Sequence, residues 1–341
     1  MKSAVLHQTR QLQVEETAVP EVGPDDVLIR VMACGVCGTD VHIFEGDQGA
    51  AENPLPIVLG HEFAGIVERV GAKVNEIKPG ERVCADPNVL CGGCEACKGG
   101  LGHFCSHMTG IGTTVNGGFA QFCAVPRQQL YRLSDDTPFT AGAMSEPLAC
   151  CLHGIDQCEI HAGDSVVVIG GGMIGLLMVQ LARISGAGQV VLVEPVSEKR
   201  AVGQKLGADF CIDPSAENVP EVLAAAGIQR VNTVIECVGR VETIQQAIQI
   251  AGKKSVVMMF GLTKPDDEIK VKPFELFKKE IVLRASFINP YTMGRAVELI
   301  NRNRVDVSSM VVEVIALERL GEVLASPQMR SRGKFIVEPW K

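Results

Sequence analysis

The chain has 341 residues, 46 % of them apolar and 21 % charged, with a net charge of −8. That length builds two domains of ordinary size, each with its own core. The acidic balance argues against a nucleic-acid or anionic-membrane surface, because phosphate binding needs clustered Lys and Arg.

The N-terminal MKSAVLHQTRQLQV lacks the apolar core and small-residue cleavage site of a signal peptide, and no window reaches the apolar length of a membrane span, so the expected location is the cytoplasm. The first third then reads as β-rich. VLIRVMACGVCG, IVLGHEFAGIVERVG and KPGERVCA are short β-branched runs cut by Gly and Pro turns. Two stretches there carry residues that a soluble core would not normally choose: CGVCGTDVH, residues 34–42, and Gly60-His61-Glu62. A zinc ion that does chemistry needs few protein ligands and one open position. Cys37 and His61 are natural ligands, with Glu62 either a third ligand or a supporting group. Cys34 reads as an ordinary buried thiol. Asp40 anchors its turn or orients His61.

Next comes CGGCEACKGGLGHFC, spaced C-x2-C-x2-C-x7-C. Cys91, Cys94, Cys97 and Cys105 can wrap one ion in a tetrahedron, and zinc with four thiolates is a closed, structural site. An iron–sulfur cluster of the bacterial ferredoxin type would continue x3-C-P after the third cysteine, whereas here the gap is seven residues and Ser106 follows. Thirteen cysteines in a chain of this length suit metal ligands plus small buried side chains better than disulfides.

The period changes after about residue 145, where Ser145-Glu146-Pro147 offers another carboxylate. SVVVIG reads as a buried strand and MIGLLMVQLARISG as a helix; QVVLVE, FCIDP, VNTVIECVG, KSVVMMFGL and EIVLRASF read as further strands with helical patterns between them. Such alternation means a parallel sheet covered by helices on both faces. At the first strand–helix junction stands Gly170-Gly171-Gly172-Met173-Ile174-Gly175, a G-x-G-x-x-G turn in the context that binds a dinucleotide pyrophosphate. Glu194 ends the next strand, nineteen residues on. A carboxylate there accepts from the ribose hydroxyls and repels a 2′-phosphate, which predicts NAD, while Lys199 and Arg200 leave room for some NADP. FAD and S-adenosylmethionine use related turns. The tail carries a helix at TMGRAVELINRN, a short helical VIALERLGEVL and a last strand at FIVEPW.

GVCGTDVH, GHEFAGIVERVG, KPGERV, the four-cysteine lobe, GGFAQF, SEPLACC and VIGGGMIG together resemble the zinc-dependent medium-chain dehydrogenases, in order and spacing, over nearly the whole chain. GHE, Glu146 and SFINPYTMGRAVELI make the chain most similar to the polyol or sugar-alcohol (sorbitol-type) dehydrogenases, a group related to threonine dehydrogenase. The resemblance implies an α/β chain: a GroES-like β-rich catalytic domain at 1–150 and 288–341, its structural zinc lobe at about 88–108, and a Rossmann doubly wound parallel-sheet coenzyme domain at 151–287. It implies Cys37 and His61 as catalytic zinc ligands, Glu62 as the adjacent carboxylate ligand, and Glu146 as a carboxylate that exchanges with it. Thr39 takes the substrate proton and His42 passes it on. Cys91, Cys94, Cys97 and Cys105 hold the structural zinc. Gly170, Gly172, Met173, Ile174, Gly175, Glu194, Arg200 and Val238 surround the NAD, and Phe44 and Asn289, with Arg284, approach the substrate.

The expected function is NAD-dependent interconversion of a polyol and a ketose by a homo-oligomer, a tetramer or a dimer, with no nucleic-acid or membrane partner. L-Threonine 3-dehydrogenase and polyol-phosphate dehydrogenase are the alternative activities. An inactive NAD-sensing protein and a zinc-stapled scaffold are the non-enzyme readings. Cys37, Thr39, His42, His61 and Glu146 speak against the first of these, and the glycine turn with Glu194 against the second.

Overall fold

β-Branched runs separated by Gly and Pro cannot continue as helices, and in the first part of the chain they pair instead as antiparallel strands. The computed structural model describes residues 1–47 and 54–341. It divides into two compact units, Met1–Ala149 with Pro290–Lys341, and Cys150–Asn289.

In the first unit Lys2–Gln8 pairs with Gln11–Glu16 and with Ile57–Val58. A seven-stranded sheet is built around Asp26–Gly35, which pairs with Glu62–Val70 on one side and with the C-terminal strand Lys334–Val337 on the other. The register sets Gly35 opposite both Glu62 and Ile336, so residues at the two ends of the sequence meet at one strand end. Leu6, Phe63, Phe119, Leu320, Leu324 and Phe335 fill the core between these strands and the tail.

The second unit is a six-stranded, all-parallel sheet. Its strand order is Phe210–Ile212, Gln189–Val193, Ser165–Ile169, Thr233–Glu236, Val256–Met259, Val282–Ala285. Numbered along the chain this is 3-2-1-4-5-6, which bears out the doubly wound expectation and places a switch point at the carboxyl end of Ser165–Ile169. The near-continuous runs Val166–Ile169 and Val190–Val193 are buried on both faces, as a helix-covered parallel sheet requires. Among the described residues no helix is long and apolar enough to cross a membrane.

Candidate metal centres and coenzyme turn

Cys37 caps the helix Gly38–Glu45, and Asp40 closes that cap: its Oδ2 accepts the Cys37 backbone N–H at 2.8 Å. The other Asp40 oxygen, Oδ1, lies 3.3 Å from His61 Nδ1. One buried carboxylate therefore fixes the backbone of Cys37 and faces the ring of His61, which leaves His61 Nε2 as the nitrogen available to a ligand. Burial disfavours a charged imidazole, yet the neighbouring Asp40 and Cys37 outweigh it and hold His61 well above its ordinary pKa.

Glu62 is the next residue, at the start of its strand. Donor atoms of Cys37, His61 and Glu62 all lie within 4.8 Å of one another. Glu62 is fully buried and its two oxygens have different fates. Oε2 accepts a charge-assisted hydrogen bond from Lys334 Nζ, while Oε1 has no hydrogen-bond partner among the described residues. A buried carboxylate oxygen left without a donor is costly. A cation between Cys37, His61 and Glu62 would remove that cost. The set of one thiolate, one imidazole and one carboxylate suits zinc and leaves a fourth position open. Lys334 is itself buried. Desolvation alone would depress its pKa, but Glu62 and Cys37 raise it, so it stays a cation. Sequence reading missed it. The only local signal is a lysine opening the apolar run FIV in the last strand.

Thr39 and His42 stand on the same helix as Cys37, three residues apart and so on one face. Thr39 Oγ1 is 3.8 Å from Cys37 Sγ. Glu146 is buried in the first turn of the helix Ser145–Cys158 and is not one of the groups that share the 4.8 Å cluster among the described residues. Phe44 is only 4 % exposed and packs in the core of its unit. Asn289 is buried. Arg284 is committed to its own surroundings, donating to the Gln157 carbonyl and pairing with Glu159 at 2.8 Å.

The four-cysteine lobe brings Cys91, Cys94, Cys97 and Cys105 together, with all donor atoms within 4.8 Å. Its short helix Glu95–Lys98 buries no residue, so apolar packing does not hold it. The crowded thiols compete for protons. The Cys97 backbone N–H draws Cys94 down to about 6, whereas desolvation and the neighbouring thiols push Cys97 up to about 12. Four thiols with no open position fit a closed zinc site.

In the second unit Gly170 takes φ 99°, and a Cβ on Gly175 would sit 1.7 Å from the Gly170 carbonyl oxygen, so helix and strand meet this closely only because both residues are glycine. A Cβ on Gly172 would meet nothing within 4 Å, which leaves that side of the turn open. Met173 and Ile174 begin the helix, whose N-terminus has no side-chain cap. Glu194 is buried, and its oxygens accept from Gly171 N–H at 2.6 Å and Val196 N–H at 2.9 Å. These two bonds fix the carboxylate at the mouth of the turn. Val238 packs against Gly170. Arg200 donates to the carbonyls of Glu194 and Pro195 and pairs with Asp213 at 3.1 Å, so its charge braces the loop behind Glu194.

Residues 23–135 match the alcohol dehydrogenase GroES-like domain and residues 173–302 the zinc-binding dehydrogenase domain. An L-threonine 3-dehydrogenase of Rhizobium rhizogenes is 32 % identical over 96 % of this chain and 95 % of its own. A protein of Sinorhizobium meliloti 1021, described as a zinc-binding dehydrogenase and solved with NADP bound, is 38 % identical with a TM-score of 0.95, covering 99 % of both chains. Galactitol-1-phosphate dehydrogenase of Escherichia coli is 27 % identical with a TM-score of 0.89, over 99 % of this chain and 100 % of that one. Matched along nearly its full length, with two groups of side chains assembled to take zinc, this chain belongs to the zinc-binding, GroES-like alcohol dehydrogenase family.

Proposed function

We propose that the enzyme oxidises a secondary alcohol of a polyol to the ketone with NAD, or catalyses the reverse reduction. The observation that carries this reading is the set of half-buried Cys37 with buried His61 and Glu62, where Glu62 Oε1 has no hydrogen-bond partner among the described residues and points to a cation with a position to spare. Bound there, zinc would supply a Lewis acid for the substrate hydroxyl near neutral pH. The remaining steps belong to side chains. Thr39 takes the hydroxyl proton, and the imidazole of His42 passes it to solvent. Asp40 holds Cys37 and His61 in register. Glu146 stands as a second carboxylate for the substrate-bound state. Cys91, Cys94, Cys97 and Cys105 staple the lobe.

The fixed carboxylate of Glu194 supports NAD over NADP, because a 2′-phosphate would meet a buried negative charge. Arg200, engaged by Asp213 and two carbonyls, is not poised to offset that repulsion. The NADP bound to the Sinorhizobium protein makes this a direct point of test.

L-Threonine is the second reading, favoured by the 32 % identity to the Rhizobium enzyme. Both substrates present a secondary carbinol beside a polar group. The test is reduction of NAD and of NADP by the zinc-loaded protein against free polyols, polyol phosphates, L-threonine and simple secondary alcohols. Turnover with free polyols and NAD is the expected result. Turnover confined to L-threonine selects the second reading, and turnover with NADP alone overturns the coenzyme assignment.

A further inference from the structure

His42 lies in the last turn of the helix Gly38–Glu45. The helix stops at Gly46, which takes φ 82°, a left-handed conformation natural to glycine; a Cβ there would also stand 2.8 Å from Thr9 Oγ1. This stop turns the chain back over the helix end. The Asp47 N–H donates to the His42 carbonyl at 2.9 Å, and His42 Nδ1 lies at hydrogen-bond distance, 2.8 Å, from Asp47 Oδ2. Asp47 therefore holds His42 twice, through backbone and through side chain. The other acids of this segment are engaged elsewhere: Glu45 takes the Arg10 guanidinium, and Asp40 is buried against Cys37 and His61.

An ionised carboxylate only accepts hydrogen bonds, so the ring proton sits on Nδ1 and Nε2 is left basic. Both side chains are largely open to water, 48 % and 61 % exposed. A pair in that setting contributes little to folding stability. What it does fix is the ring: its tautomer, its orientation, and the charge that balances an imidazolium.

We infer that Asp47 is a positioning residue for proton release, holding His42 in the tautomer whose Nε2 receives the proton handed on by Thr39. The inference rests on the reading of His42 as proton carrier. In the step, the Thr39 O–H bond breaks as Thr39 takes up the substrate proton, and an N–H bond forms at His42 Nε2. That nitrogen then gives its proton to water and the neutral ring returns. No electrons move in this relay.

The test uses the full-length, zinc-loaded enzyme with Asp47→Ala, Asp47→Asn, His42→Ala and the double variant His42→Ala/Asp47→Ala. The readouts are kcat, KM and the 15N chemical shifts that report the His42 tautomer. Asp47→Ala lowers kcat by about tenfold, a part of the 10²–10⁴ that a positioned acid–base group supplies, with KM nearly unchanged. It also shifts the ring toward a mixture of tautomers. Asp47→Asn, which still accepts from Nδ1, restores the tautomer and most of kcat. In the His42→Ala background the Asp47 substitution adds nothing, as for two residues acting through one step. A fall with His42→Ala but unchanged kcat and tautomer with Asp47→Ala overturns the inference and leaves the relay standing. Unchanged kcat with His42→Ala removes the relay, and the inference with it. Losses that simply add in the double variant also overturn it.

Discussion

Glu62 carries most of what a single residue can say about the proposed catalytic centre. One oxygen is neutralised by Lys334 and the other has no donor among the described residues. Breaking a buried ion pair from one side leaves an uncompensated charge, which costs about 3–5 kcal/mol. Lys334→Met should therefore destabilise the first unit by that order in urea unfolding of the metal-free protein, and Lys334→Arg should recover much of the loss. Equal stability of the Met variant and the wild type would mean that the pair is not formed. Cys37, His61 and Glu62 were legible in the sequence because each belongs to a short local motif of metal-binding residue types. Lys334 was not, since its partner is 272 residues away and the contact exists only through the strand register that sets Gly35 between them. Asp47 was hidden for a related reason: its place over His42 follows from the left-handed stop at Gly46, which a letter string shows only as GD.

At the scale of elements, the lobe around Cys91 and the glycine turn at Gly170 contrast. The turn is held by packing, with Val166–Ile169 buried behind it and Gly175 in contact with Gly170. The lobe has no such core. Its helix Glu95–Lys98 buries nothing, and Gly102 N–H donates to Tyr291 Oη at 3.2 Å. Structural zinc in such a segment is folding free energy. A chelator strong enough to strip both metals should open residues 91–105 to limited proteolysis and hydrogen exchange, while amides of the parallel sheet stay protected. Uniform loss of protection across both units would show instead that the lobe is not an independent element. The strand–helix alternation and the turn were readable from hydrophobic period and glycine spacing. The engagement of Arg200 by Asp213 was not, because it joins the helix Ser197–Lys205 to the residue that follows the strand Phe210–Ile212.

For the whole molecule, a GroES-like unit made from both ends of the chain encloses the Rossmann unit in sequence, and the family match runs through both. The fold class was legible because each level agreed: β-branched punctuation in the first third, buried parallel strands in the middle, a glycine turn at the first strand end. The substrate was not, since neither Phe44, packed in the core, nor Arg284, paired with Glu159, is free to define a pocket. The central claim is that Cys37, His61 and Glu62 hold the ion at which the alcohol is oxidised, apart from the ion of the four-cysteine lobe. It is tested most directly by measuring zinc content and NAD-linked turnover of Cys37→Ser beside the wild type. The account predicts a fall from two ions per chain to one, matching the two groups of ligands, with turnover reduced by more than about a hundredfold and the fold intact. Two zincs and undiminished turnover in the Cys37→Ser protein would contradict it.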